Sequence, residues 1–89
     1  MAKILIIDDD KMLCEMIARH VEYMGHQTAL AFTFKDGYQQ AVSEEYDVVF
    51  LDVRLPDGNG LELLPKIRET AHRPEVIIIT GAGDPDGAE

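Results

Sequence analysis

Asp8, Asp9 and Asp52 are the residues in this chain best suited by type and position to do chemistry. Each follows an apolar run. Lys3-Ile4-Leu5-Ile6-Ile7 stops at Asp8-Asp9-Asp10, and Val48-Val49-Phe50-Leu51 stops at Asp52. A third run, Val76-Ile77-Ile78-Ile79, stops at the hydroxyl of Thr80. Runs of this kind read as strands buried on both faces of a parallel sheet. Parallel strands present their carboxyl ends at one edge, which is where open α/β sheets bind ligands. Taken singly, a strand-end Asp is more often a turn or a helix cap. Taken together, four side chains far apart in sequence are expected to converge. Carboxylates so placed repel and raise one another's pKa. A hard divalent cation relieves this, and Mg²⁺ suits oxygen ligands while keeping waters for a phosphate. Beside such a cation Asp52 stays ionised and an incoming phosphoryl group is neutralised. Aspartate is a known nucleophile toward phosphorus. Thr80 could donate a hydrogen bond to a phosphoryl oxygen, as could loop N–H groups.

The intervening segments must position these groups. After Ile7, the residues Leu13, Met16, Ile17, Val21 and Met24 recur at helical spacing, with Asp10 placed to cap that helix and Gly25 to end it. Asp10 thus has a structural job, whereas Asp8 and Asp9 have none. Gln27 to Phe32 alternates in polarity and reads as a less buried strand at an edge. Phe34 to Glu45 reads as a helix with Tyr38, Ala41 and Val42 inward, weakened by Gly37. Pro56-Asp57-Gly58 turns the chain after the Asp52 strand. Leu61 to Arg68 reads as a third helix in which Pro65 removes a hydrogen bond and bends the axis. The order β-α-β-α-β-α-β predicts parallel strands, right-handed crossovers and helices on both faces of the sheet.

Composition narrows the function. The chain has 89 residues, enough for one small domain, and a formal charge of −9. That field repels phosphate backbones and argues against direct nucleic-acid contact. Cys14 is the only cysteine, so no internal disulfide forms and a reducing, cytoplasmic compartment is expected. No apolar run is long enough for a membrane span. His20, His26 and His72 lack metal-ligand spacing, and His20 reads as a partly buried packing residue. Met12, Met16 and Met24 read as core. Cys14 has no nearby base and reads as inert. No Gly-x-Gly-x-x-Gly follows the first strand, which argues against a nucleotide-binding Rossmann domain.

Three ordered motifs, Ile4 to Asp10, Val49 to Leu63 and Val76 to Gly81, resemble those of bacterial response-regulator receiver domains, over the whole chain. The segment Leu55 to Pro65 is similar to receivers of the nitrogen-regulatory, enhancer-binding type. The resemblance implies a flavodoxin-like doubly wound parallel sheet, order 2-1-3-4. It implies a module rather than an enzyme: a phosphoacceptor in a two-component phosphorelay, charged by a sensor histidine kinase and switching an output domain that follows it, with transcription the expected output. Asp52 matches the phosphoacceptor. Asp9 matches a direct Mg²⁺ ligand, Asp8 the acid that holds the metal through water, and Arg54 the residue whose backbone carbonyl ligates it. Thr80 matches the switch hydroxyl. The family's fifth strand, phosphoryl-binding lysine, switch aromatic and last helix would lie beyond residue 89, and Lys66 belongs to the third helix.

Residues 1–89 are therefore expected to form a single receiver domain that is truncated at its C-terminal end. Two features agree. The Val76–Ile79 strand has a neighbour on one side only, and Asp84-Pro85 is a helix start with too few residues after it. Such a fragment would be marginally stable, frayed after Gly81 and poorly phosphorylated, and dimerising would cover its edge. Two rival readings stand beside this one. A Mg²⁺-dependent phosphohydrolase of haloacid-dehalogenase type also uses a strand-end Asp and a later Thr, but carries a second Asp where this chain has Arg54. A receiver-like interaction module that has lost phosphorylation is the other; intact Asp8, Asp9, Asp52 and Thr80 count against it, and the missing lysine keeps it open.

Overall fold

The computed structural model describes residues 1–79. Its order is β1 (Lys3–Ile7), α1 (Lys11–Tyr23), β2 (Gln27–Ala31), α2 (Phe34–Ser43), β3 (Val48–Asp52), β4 (Arg54–Leu55), β5 (Gly58–Asn59), a 3₁₀ turn (Gly60–Glu62), α3 (Leu63–Arg68) and β6 (Glu75–Ile79). The main sheet runs β2-β1-β3-β6, parallel throughout. This is the expected 2-1-3-4 order. The fourth strand is numbered six because a two-residue antiparallel ladder, β4–β5, intervenes. That ladder and the 3₁₀ turn are too short to leave a periodic signal in the sequence.

Alternation along β1 sends Ile4 and Ile6 to one face and Leu5 and Ile7 to the other. The first pair packs with Cys14, Ala18 and Val21 of α1. The second packs with Ala41 of α2, Leu63 and Ile67 of α3, and Val49 and Leu51 of β3. Helices thus cover both faces. Asp10 caps α1 by accepting from Leu13 N–H at 3.1 Å, and Gly25 follows the helix at φ 97°, both as the sequence predicts. Pro65 is the third residue of α3, in the first turn, where proline is best tolerated.

The helix faces need correction. Met12, Met16 and Met24 are 74%, 60% and 61% exposed, and His20 is exposed. The buried arc of α1 centres on Cys14, Ala18 and Val21, spaced i, i+4, i+7. Met16 lies two residues past Cys14, about 200° around the helix. Apolar spacing alone placed the methionines inward, but close approach of helix to sheet favours the smaller Cys14 and Ala18. The same holds in α2. Tyr38 and Val42 are exposed, and Gly37 and Ala41 are buried. Gly37 is what lets α2 sit down, since a Cβ there would fall 2.9 Å from the Ile7 side chain. Tyr46, not singled out from sequence, is buried, with its hydroxyl hydrogen-bonded to Gln40 Oε1 at 3.1 Å. β6 is less buried than its composition suggests. It is an edge strand among the described residues, with Ile77 and Ile78 exposed. No helix of the described residues is long and apolar enough to cross a membrane.

Candidate metal and phosphoryl site

β1 and β3 are neighbours in register, Ile7 opposite Leu51, so the residues that follow emerge side by side. Asp8 comes directly after β1, Asp9 next to it, and Asp52 ends β3. One carboxylate oxygen from each lies within 4.8 Å of the other two. Among the described residues this is the one group of three or more His, Cys, Asp or Glu side chains that could hold a metal ion. Asp8 and Asp52 are 5% and 6% exposed, while Asp9 is exposed. The site is therefore two walled-in acids and one open to solvent.

Local hydrogen bonds aim these groups. Asp8 Oδ1 accepts from Asp10 N–H at 2.9 Å, and the Asp8 carbonyl accepts from the Cys14 thiol at 3.2 Å. Asp8 N–H donates to the Ala31 carbonyl at 3.0 Å, tying the strand end to β2. Asp52 Oδ1 accepts from Arg54 N–H at 3.2 Å. Cys14, buried and facing Asp8, has its thiol pushed up to about 11, first by burial and then by the charges of Asp8, Asp10 and Asp52. That bears out its reading as inert.

Burial pushes the Asp52 carboxyl up to about 6, against the Arg54 N–H bond that favours its charge, with Asp8 and Asp9 adding repulsion. Burial raises Asp8 as well. Both carboxyls are thus pushed towards their neutral forms, first by burial and then by the neighbouring acids. Crowded oxygen donors that resist ionising together are the donor set a hard divalent cation satisfies, so the residues present fit Mg²⁺.

The segment after Asp52 is held by a contact that sequence reading missed. A Cβ on Gly60 would fall 1.8 Å from the Asp52 carbonyl oxygen, and Gly60 N–H donates to the Val53 carbonyl at 2.7 Å. Only glycine fits there. The sole hint in the sequence is Gly58-Asn59-Gly60, which reads as a turn and says nothing of what the backbone approaches. Thr80 lies outside the described residues, as do Gly81 and Asp84-Pro85. Lys66 stands on α3 with its ammonium over the Tyr38 ring. A groove lined by Lys3, Val42, Glu44 and His72 lies at the opposite, amino end of the strands and shares no residue with the acidic site.

The family model for the response regulator receiver domain matches residues 4–89. Response regulator ArlR of Staphylococcus saprophyticus is 37% identical over 84 residues, 94% of this chain and 38% of the relative. The chain thus spans less than half the length of that curated relative. A CheY-like receiver domain protein from Methanospirillum hungatei superposes with a TM-score of 0.84 at 28% identity, over 97% of this chain and 69% of the other. Response regulator TrrA from Thermotoga maritima, in complex with Mg²⁺ and BeF, gives 0.82 at 28% identity, over 90% and 70%.

Proposed function

The chain belongs to the response regulator receiver family, and from that premise we propose that it is a Mg²⁺-dependent phosphoacceptor in a two-component relay, with Asp52 taking the phosphoryl group. The observation that carries this reading is the convergence of Asp8, Asp9 and Asp52 at the carboxyl edge of a parallel sheet. The Mg²⁺–BeF complex of TrrA supports it by analogy.

In this reading Asp9 and Asp52 would ligate Mg²⁺ directly, Asp8 would hold it through water, and the Arg54 carbonyl would supply a further oxygen. Bound there, the ion supplies charge neutralisation for the carboxylates and for an arriving phosphoryl group. The protein's own residues do the rest. The Arg54 N–H orients the Asp52 carboxylate. In its ionised form, Asp52, whose carboxyl burial pushes up to about 6, attacks phosphorus. The bond from phosphorus to the imidazole nitrogen of a phosphohistidine breaks, and its electron pair stays on the histidine. Thr80 then donates to a phosphoryl oxygen and passes the change of state to an output domain, with transcription the expected readout. The donor is a sensor histidine kinase, and the compartment is the cytoplasm. As a signalling module the domain has no turnover beyond its own phosphorylation and dephosphorylation. Arg54 stands where a haloacid-dehalogenase-type phosphohydrolase carries its second Asp, which counts against that reading. The test is transfer from a small donor such as acetyl phosphate in the presence of Mg²⁺, with Asp52→Asn expected to abolish it.

A further inference from the structure

The start of an α-helix leaves backbone N–H groups with no intrahelical acceptor. At the start of α2, Thr33 Oγ1 meets one of them locally, accepting from Asp36 N–H at 3.1 Å. The N–H groups of Phe34 and Lys35 have no such local partner. They donate to Asp57 Oδ1 at 2.6 Å and Asp57 Oδ2 at 3.1 Å, from the far side of the molecule's sequence. A carboxylate accepting two N–H bonds at the positive end of a helix is a charge-assisted pairing. It holds Asp57 below the usual carboxylate range.

Asp57 sits at the tip of the segment that leaves Asp52, between β4 and β5. Next to it, Gly58 lies against the Phe34 ring, where a Cβ would be 3.1 Å from a ring carbon. The root of the same segment is tied to Asp52 by the Arg54 N–H and by Gly60. On its other side α2 is seated through Gly37 on Ile7, the residue before Asp8. The contacts therefore run in series from Asp52 through its loop to Asp57, through the start of α2 to Ile7, and on to Asp8.

We infer that Asp57 is a positioning residue for the metal and phosphoryl site. It is not one of the three converging acids. It acts by fixing the loop tip to α2, and so fixing the stretch from which Arg54 presents its N–H to Asp52. In the reading of the preceding subsection, on which this inference rests, the same stretch presents the Arg54 carbonyl to the metal. Nothing about a carboxylate two residues past a leucine in a turn announces this role. Its partners are 22 and 23 residues away.

The test is a titration of Mg²⁺ alone into the wild-type chain, Asp57→Ala, Asp57→Asn and Asp9→Asn, followed by backbone amide NMR, with thermal melting on the same samples. Asp57→Ala is expected to weaken Mg²⁺ binding about tenfold, the scale on which supporting residues of metal sites act. Asp57→Asn keeps one acceptor oxygen for the two N–H groups and should fall between. The Phe34 and Lys35 amide signals should move in both variants. A merely structural cap would lower the melting temperature and leave Mg²⁺ affinity at the wild-type value, and that result overturns the inference. If Asp57→Ala does not fold, Asp57→Asn decides on the same criterion. Asp9→Asn separates the two levels. Undiminished binding in Asp9→Asn defeats the metal site itself and this inference with it. Loss there with no change in the Asp57 variants defeats the clamp alone.

Discussion

At the scale of single residues, Asp52 is held in a state it would not choose in water. Its carboxyl is pushed up to about 6 from the ordinary 3.8, first by burial, then by Asp8 and Asp9. A raised carboxyl pKa means the folded chain binds its proton more tightly than the unfolded chain. Between the two values folding takes up a proton, so stability falls as pH rises through that window and stays lower above it. Asp52→Asn removes the charge and keeps an oxygen for the Arg54 N–H. Melted without divalent cations, it should be more stable than wild type at pH 7.5 and about equal at pH 3.5. A variant no more stable at pH 7.5 would mean that the carboxylate is not strained there. The acids themselves were legible in the sequence, because an apolar run ending in Asp marks a strand end whatever its neighbours are. The local partners of these acids were only half legible. Asp10 as a cap follows from chain position. The Cys14 thiol on the Asp8 carbonyl and the Asp57 carboxylate on α2 depend on which elements lie side by side, and no single stretch of chain carries that.

At the scale of elements, two glycines set how closely backbone approaches the site, and they do so differently. Gly60 faces the Asp52 carbonyl oxygen, where a Cβ would fall at 1.8 Å and only backbone movement could relieve the clash. Gly37 faces the Ile7 side chain at 2.9 Å, which can change rotamer, and alanine in mid-helix regains about 1 kcal/mol. Overpacking typically costs about 1–3 kcal/mol. Gly60→Ala should therefore lose at or above the top of that range, and Gly37→Ala about 2 kcal/mol or less, by urea unfolding. Equal losses would show that the loop after Asp52 yields easily. Strands β1 and β3 and the start of α1 were legible because composition and caps agree. The faces of α1 and α2 were not. Periodicity reports which residues could face a core, while Cys14, Ala18, Gly37 and Ala41 won the buried positions because a helix sits closer to a sheet over small residues.

At the scale of the whole molecule, the sheet is asymmetric. β2 forms one edge with modest exposure, and β6 forms the other among the described residues, carrying Ile77 at 47% and Ile78 at 37% exposure. An apolar strand edge is a template for pairing. We expect the 89-residue chain to self-associate as concentration rises, and Ile77→Lys to remain monomeric over the same range in sedimentation velocity. Identical behaviour of the two would show that this edge does not drive association. Net charge of −9 opposes such pairing over distance and weakens with screening, so association should increase with salt. The parallel order and the site's place at its carboxyl edge were legible from strand-helix alternation alone. The exposure of Ile77 and Ile78 was not, because a continuous apolar run reads as a strand buried on both faces.

The central claim is that Asp52 accepts a phosphoryl group with the help of Asp8, Asp9 and Mg²⁺. Its most direct measurement is incubation of the complete protein with acetyl phosphate and Mg²⁺, followed by intact-mass analysis and mapping of the modified residue. One added phosphoryl group is expected, on Asp52, absent when Mg²⁺ is chelated and absent in Asp52→Asn. A phosphoryl group that persists in Asp52→Asn, or that forms equally well without a divalent cation, would contradict it.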